Sequence, residues 1–184
     1  MKKFLLILIS LIMTISCCAC GSSSDEIIAE DGTKLAGKQA GNNAVTYSFA
    51  YPEEWEMFRN DGVIEIQKDC NESDALIDPA TITTLVFTLG DANMGAKNYW
   101  EDQKDETEAL FQEFKELDTE ETQLDGTIAY KVKYSAKMNG RTYISEQIIC
   151  CRLGEVFLIT LVAPEQYHDD CTSALYAVRD SFKF

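Results

Sequence analysis

The amino-acid sequence predicts an α+β fold, an antiparallel sheet of about six to eight strands with helices packed on it. Three observations lead there. Apolar and polar residues alternate along several short runs, the period of a strand with one buried face. The turns Asp125-Gly126, Asn139-Gly140 and Gly154 are short and glycine-bearing. Strands joined by such turns must be antiparallel neighbours, because a parallel return needs a dozen or more residues. Two other stretches switch to helical spacing, so helices cover the sheet.

Taken in order, the folded part is expected from Ala44 to Phe184. In VTYSFAYPEEW, residues Val45, Tyr47, Phe49 and Tyr51 share one face of a strand that Pro52 stops. Trp55 to Phe58 and Val63 to Gln67 read as a hairpin across Asn60-Asp61-Gly62, and Thr81 to Leu89 as a further strand. Between these last two, Lys68 to Pro79 is acidic and aperiodic, a loop. Residues 98–118 read as an amphipathic helix, with Leu110, Phe111, Phe114 and Leu117 on a stripe that Tyr99, Trp100 and Thr107 extend. Strands follow at Thr119 to Gln123, Thr127 to Ser135, Arg141 to Arg152 and Val156 to Ala163. After Pro164 a last helix carries Tyr167, Cys171, Ala174, Leu175, Val178 and Phe182 on one side.

The start of the chain has a different logic. Lys2 and Lys3 precede an apolar run from Phe4 to Ile15, which ends in small residues and cysteines, the layout of a secretory signal. That run is shorter than the roughly 20 apolar residues a membrane span needs. Its closing CCACGSSS resembles the cleavage and lipidation box of bacterial lipoproteins. The resemblance makes Cys20 the acylated residue, with Cys17 and Cys18 as alternatives. The expected organisation is therefore a signal over residues 1–19, a lipidated cysteine and flexible tether over 20–43, and one globular domain over 44–184.

Composition narrows the partners. The 184 residues hold 31 Asp plus Glu against 16 Lys plus Arg, a formal charge of −15. Such a surface repels phosphate backbones and anionic headgroups, so nucleic acid is excluded and the membrane is reached through lipid. Four cysteines lie outside the signal: Cys70, Cys150, Cys151 and Cys171. Neighbours such as Cys150 and Cys151 rarely pair with each other, which leaves either of them bridging to Cys70 or Cys171, or four buried thiols.

Few residues suggest chemistry. His168 is the sole histidine, in QYHDDC, and no nucleophile motif accompanies it, so a surface position in the first helical turn explains it. Asp69, Asn71 and Asp74 offer calcium-type oxygen ligands, but the loop lacks the EF-hand glycine and glutamate. With one histidine and no C-x-x-C pair, no zinc site is expected, nor any cofactor. Tyr51 and Trp55 are candidates for the rim of a binding groove, set against the commoner role of strand aromatics as core.

Four segments, YSFAYPEEW, DGTIAYKVKYSA, GEVFLITLVAPEQY and VRDSFKF, in this order and spacing, resemble the PsbP-like family. The resemblance spans most of residues 44–184. It implies an α/β/α sandwich around an antiparallel sheet, a fold that serves several functions. Photosynthetic members assist the oxygen-evolving complex, whereas many bacterial lipoproteins of this type have no known role. No metal or photosystem contact of the plant proteins is placed on a residue of this sequence. The function expected is that of a membrane-anchored extracytoplasmic lipoprotein, a non-enzymatic module that binds a protein partner. A small-molecule or calcium-binding lipoprotein is the alternative.

Overall fold

The structure is a computed structural model that describes residues 25–28, 34–42, 45–60, 63–70 and 78–184. Its ten described strands are β1 (Asp25–Ile28), β2 (Lys34–Asn42), β3 (Val45–Pro52), β4 (Glu56–Asn60), β5 (Val63–Lys68), β6 (Ala80–Thr88), β7 (Gln112–Leu124), β8 (Thr127–Met138), β9 (Arg141–Arg152) and β10 (Glu155–Pro164). Two helices, α1 (Ala96–Leu110) and α2 (His168–Ser181), lie on them. Seven strands form one antiparallel sheet in the order β4-β5-β6-β10-β9-β8-β7, and β1-β2-β3 form a second, smaller one.

The order follows from the connections. β4, β5 and β6 pair antiparallel in sequence order, and α1 then carries the chain across the sheet to its far edge. From there β7 to β10 return strand by strand until β10 pairs with β6, Leu158 opposite Leu85. The three return turns each place two residues at positive φ: Asp125 and Gly126, Asn139 and Gly140, Leu153 and Gly154. Two consecutive left-handed residues match the twist of the flanking strands, which is why Asp-Gly and Asn-Gly signal hairpins.

Alternation along the strands makes two cores. Tyr47, Phe49, Ile66, Ile82, Ile148, Phe157, Ile159 and Phe182 pack on the α2 side. Trp100, Tyr130, Val132, Tyr134, Ile149 and Leu158 pack on the α1 side. Trp100 stacks on Tyr134 with ring centroids 6.1 Å apart and donates its indole N–H to Glu116 at 3.0 Å. α2 buries His168, Cys171, Ala174, Leu175 and Val178, a three-and-four spacing that forms one stripe. β3 is tied to the end of α2: Ala50 N–H donates to Ser181 Oγ at 2.8 Å, and Ser48 pairs with Lys183 through backbone bonds of 2.9 and 2.8 Å.

Two expectations are corrected. The helix predicted over 98–118 ends at Leu110, and Gln112 already belongs to β7. Leu110 and Leu117 are exposed, while Phe111 and Phe114 pack against Tyr134 from the strand side. Pairing with β8 along nearly all of β7 outweighs the helix propensity of QEFKELD, at the cost of two register shifts. Upstream, part of the stretch expected to be a flexible tether forms β1 and β2. β2 pairs with β3 from Leu35 opposite Pro52 to Asn42 opposite Val45. Backbone pairing to the open edge of β3 needs no apolar pattern, so the sequence of β2 carried no strand signal.

Candidate functional site

β9 turns successive side chains to opposite faces, and at one level both are polar. Ile148 and Cys150 lie in the α2-side core and Ile149 in the α1-side core, so Glu146 faces α2 and Gln147 faces α1.

On the α1 side four strands align polar residues in one row. Glu65 of β5 is opposite Thr83 of β6, Thr83 opposite Thr160 of β10, and Thr160 opposite Gln147 of β9. Glu65, Thr160 and Gln147 are buried, and Gln147 Nε2 donates to Thr160 Oγ1 at 2.9 Å. Burial raises the Glu65 carboxyl above its usual range, opposed by a hydrogen bond donated from the Gln67 amide. Beyond the row, Tyr143 donates its hydroxyl to Asp78, at one root of the acidic segment. Burial and that carboxylate both raise the Tyr143 pKa. Neutral donors and acceptors beside a carboxyl that resists ionisation suit hydrogen bonding to an uncharged polar molecule.

The native state holds the Glu65 proton to higher pH than the unfolded chain, whose value is near 4.5. Between those two pKa values the native state binds more protons, so stability falls as pH rises. Glu65→Gln is therefore expected to raise the urea midpoint at pH 8 and to give no such gain at pH 4. An equal effect at both pH values would show that ionisation of Glu65 plays no part.

On the α2 side Glu146 and His168 are each only 1% exposed. Glu146 Oε1 accepts a 2.8 Å hydrogen bond from the Tyr176 hydroxyl and lies 3.8 Å from Lys131 Nζ, which also meets Glu120 Oε1 at 2.6 Å. His168 Nε2 stands 3.6 Å from Glu146 Oε2, and Nδ1 is 3.3 Å from Asp169 Oδ1. Nε2 is buried and makes no hydrogen bond among the described residues. Burial lowers the His168 pKa, and Lys133 adds to this; Asp169 and Glu146 oppose it without reversing it. The result is a neutral imidazole beside a carboxylate, a phenol and an ammonium. The two ring nitrogens face the carboxylates of Glu146 and Asp169.

The residues singled out from sequence fall as follows. Tyr51 and Trp55 are 4% and 3% exposed and belong to the α2-side core, so they line no open groove. Trp55 N–H donates to Pro52 O at 3.1 Å, a turn that folds the indole inward instead of leaving it at the sheet rim. His168 is buried where a surface position was expected; its place three residues before Cys171 on the α2 stripe is the signal for that. The signal for Glu146 was also present, a carboxylate between Ile144 and Ile148 in a strand whose flanking residues are all buried. Asn71 and Asp74 lie outside the described residues, as do Cys17, Cys18 and Cys20, while Asp69 stands at the edge of the described part. Cys70, Cys150, Cys151 and Cys171 are free thiols. Among the described residues no helix is long and apolar enough to cross a membrane.

The residues so placed stand on an antiparallel seven-stranded sheet between two helices, with β3 laid along the second. The family model of PsbP matches residues 40–184. The chain belongs to the PsbP family. Its fold is similar to that of cyanobacterial PsbP from Synechocystis sp. PCC 6803, with 15% identity and a TM-score of 0.55 over 91% of this chain and 96% of that one. It is also similar to LpqN of Mycobacterium tuberculosis, which is involved in cell envelope biogenesis: 16% identity and a TM-score of 0.58 over 81% and 90%. PA94, a Pseudomonas aeruginosa protein of unknown function, is 13% identical with a TM-score of 0.53 over 76% and 91%. At such identities the likeness to PsbP-family and other neighbours is one of fold. No curated protein sequence matches the chain.

Proposed function

We propose that this PsbP-family chain is a lipid-anchored extracytoplasmic lipoprotein, a non-enzymatic module that binds a protein partner at the cell envelope. The observation that carries the reading is a lipoprotein-type signal, MKKFLLILISLIMTISCCACGSSS, placed ahead of a PsbP domain. Two acyl chains on Cys20 hold such a domain at a membrane without help from its acidic surface. LpqN, of similar fold, supports an envelope role by its own involvement in envelope biogenesis. The imidazole of His168, buried and facing Glu146 and Asp169, favours a structural part for the most enzyme-like group present. In-cell crosslinking of the full-length chain tests this. One envelope protein recovered reproducibly with the chain is expected; repeated recovery of the chain alone contradicts it.

A second reading is favoured by the row Glu65, Thr83, Thr160 and Gln147, which places polar groups on a sheet face where apolar ones would pack better. In this reading the chain is a small-molecule or calcium-binding lipoprotein with the Lys68 to Pro79 segment as its entrance. A ligand that binds only the native state raises the melting temperature in proportion to the logarithm of its concentration. Calcium that leaves the melting temperature unmoved at millimolar concentration removes the cation form of this reading.

A further inference from the structure

The four thiols are unequally placed, and two of them lie at the same end of the sheet. Cys70 lies two residues past β5, and Cys171 lies in the first turn of α2, both within or against the α2-side core. Lys68 pairs with Ala80, and Val162, near the end of the strand that leads into α2, pairs with the adjacent Thr81, so Cys70 and the first turn of α2 lie at the same end of the sheet on the same face. The Cys70 sulfur lies 3.9 Å from Lys68 O, and the two thiols shift each other's ionisation. Cys150 is far from both. It pairs with Phe157 and through it with Val86, whereas Lys68, beside Cys70, pairs with Ala80 at the opposite end of β6. Six residues of strand separate Ala80 from Val86, roughly 20 Å, and bridged cysteines have Cα atoms within about 7 Å. Cys151 faces the α1-side core, across the sheet from Cys171.

We propose that Cys70 and Cys171 are a disulfide pair that closes on meeting a disulfide oxidant and pins one root of the acidic segment to the first turn of α2. Asp78, where the described residues resume, is held by the hydrogen bond from the Tyr143 hydroxyl. Cys70 is the half-buried member and Cys171 the buried one. Cys70 therefore loses its proton and attacks the oxidant's disulfide, releasing one thiol and leaving a mixed disulfide. Cys171 then loses its proton, attacks the Cys70 sulfur and releases the second thiol. Two protein thiols are oxidised by two electrons, and one oxidant disulfide is reduced to two thiols. Burial raises both pKa values, that of Cys171 to about 12, so closure accelerates as pH rises.

The test is incubation of the reduced full-length chain with oxidised glutathione at pH 8.5, then alkylation of the remaining thiols and peptide mapping without reduction. The expected result is a linked pair of peptides carrying Cys70 and Cys171, lighter by about two daltons than the two reduced peptides together. Cys70→Ser, a change at a half-buried position, abolishes the link and leaves Cys171 alkylated after denaturation. A link from either residue to Cys150 or Cys151, or glutathione held stably on Cys70 with Cys171 alkylated, overturns the proposal.

Discussion

Replacing Phe182 by alanine is expected to lower the unfolding free energy by about 3–5 kcal/mol, the range for large aromatic truncations in a packed core. Phe182 is fully buried just past the end of α2. Its ring stacks with Tyr47 at 5.3 Å and lies edge-on to Phe157 at 6.1 Å and Phe184 at 5.3 Å. It therefore joins three parts of the fold that no hairpin connects: β3, the central strand β10 and the C-terminal segment. A cavity there cannot collapse easily, because Ser181 and Lys183 on either side are bonded to Ala50 and Ser48. Urea unfolding of Phe182→Ala against the parent measures the loss. A change below about 1 kcal/mol, the size of an ordinary surface-to-intermediate substitution, would mean that β3 does not depend on this contact.

Glu146→Ala is expected to destabilise by about 3 kcal/mol, the low end for removing one partner of a buried ion pair. Lys131 loses one carboxylate but keeps Glu120, which is why the low end applies. Tyr176 loses the acceptor for its hydroxyl. Glu146→Gln keeps an acceptor oxygen for Tyr176 and should recover part of the loss. The same change alters the pH response. His168 has a native pKa below its usual 6.5, so below that value the unfolded chain binds a proton that the native state refuses. Stability is therefore complete above about pH 6.5 and lost as pH falls toward the native value. Around the ring, Asp169 and Glu146 favour its charged form and Lys133 opposes it. Without Glu146 the native pKa falls further, and the acid loss of stability extends to lower pH. Urea midpoints of parent and variant from pH 7 to pH 5 check this; parallel curves would show that Glu146 does not act on the imidazole.

Much of this was legible where residues face their neighbours in strict alternation. β9 appears at its expected limits, Arg141 and Arg152, because Asn139-Gly140 and Gly154 bound a run whose inner residues are nearly all buried. The α2 stripe was readable for the same reason, since one face of the helix meets one core. Sequence reading failed where tertiary pairing outweighed local preference. QEFKELD has helical spacing, yet β8 needed an edge partner and took it. Lys34–Asn42 has little apolar pattern, yet β3 left a backbone edge to pair with. The polar row was hidden differently: Glu65, Thr83, Thr160 and Gln147 stand on four strands, and only the register brings them together. Cys70 and Cys171 were likewise 101 positions apart, and only the register brings Cys70 and the first turn of α2 to one end of the sheet.

The proposed lipid anchor would hold this PsbP-family domain outside the cytoplasm. Mass spectrometry of the N-terminal peptide from the membrane fraction of the native organism tests it most directly. A chain that begins at Cys20 and carries thioether-linked acyl chains is expected. Acylation at Cys17 or Cys18 would move the cleavage point and keep the anchor. An unmodified N-terminus on a chain recovered from the soluble fraction would contradict the account.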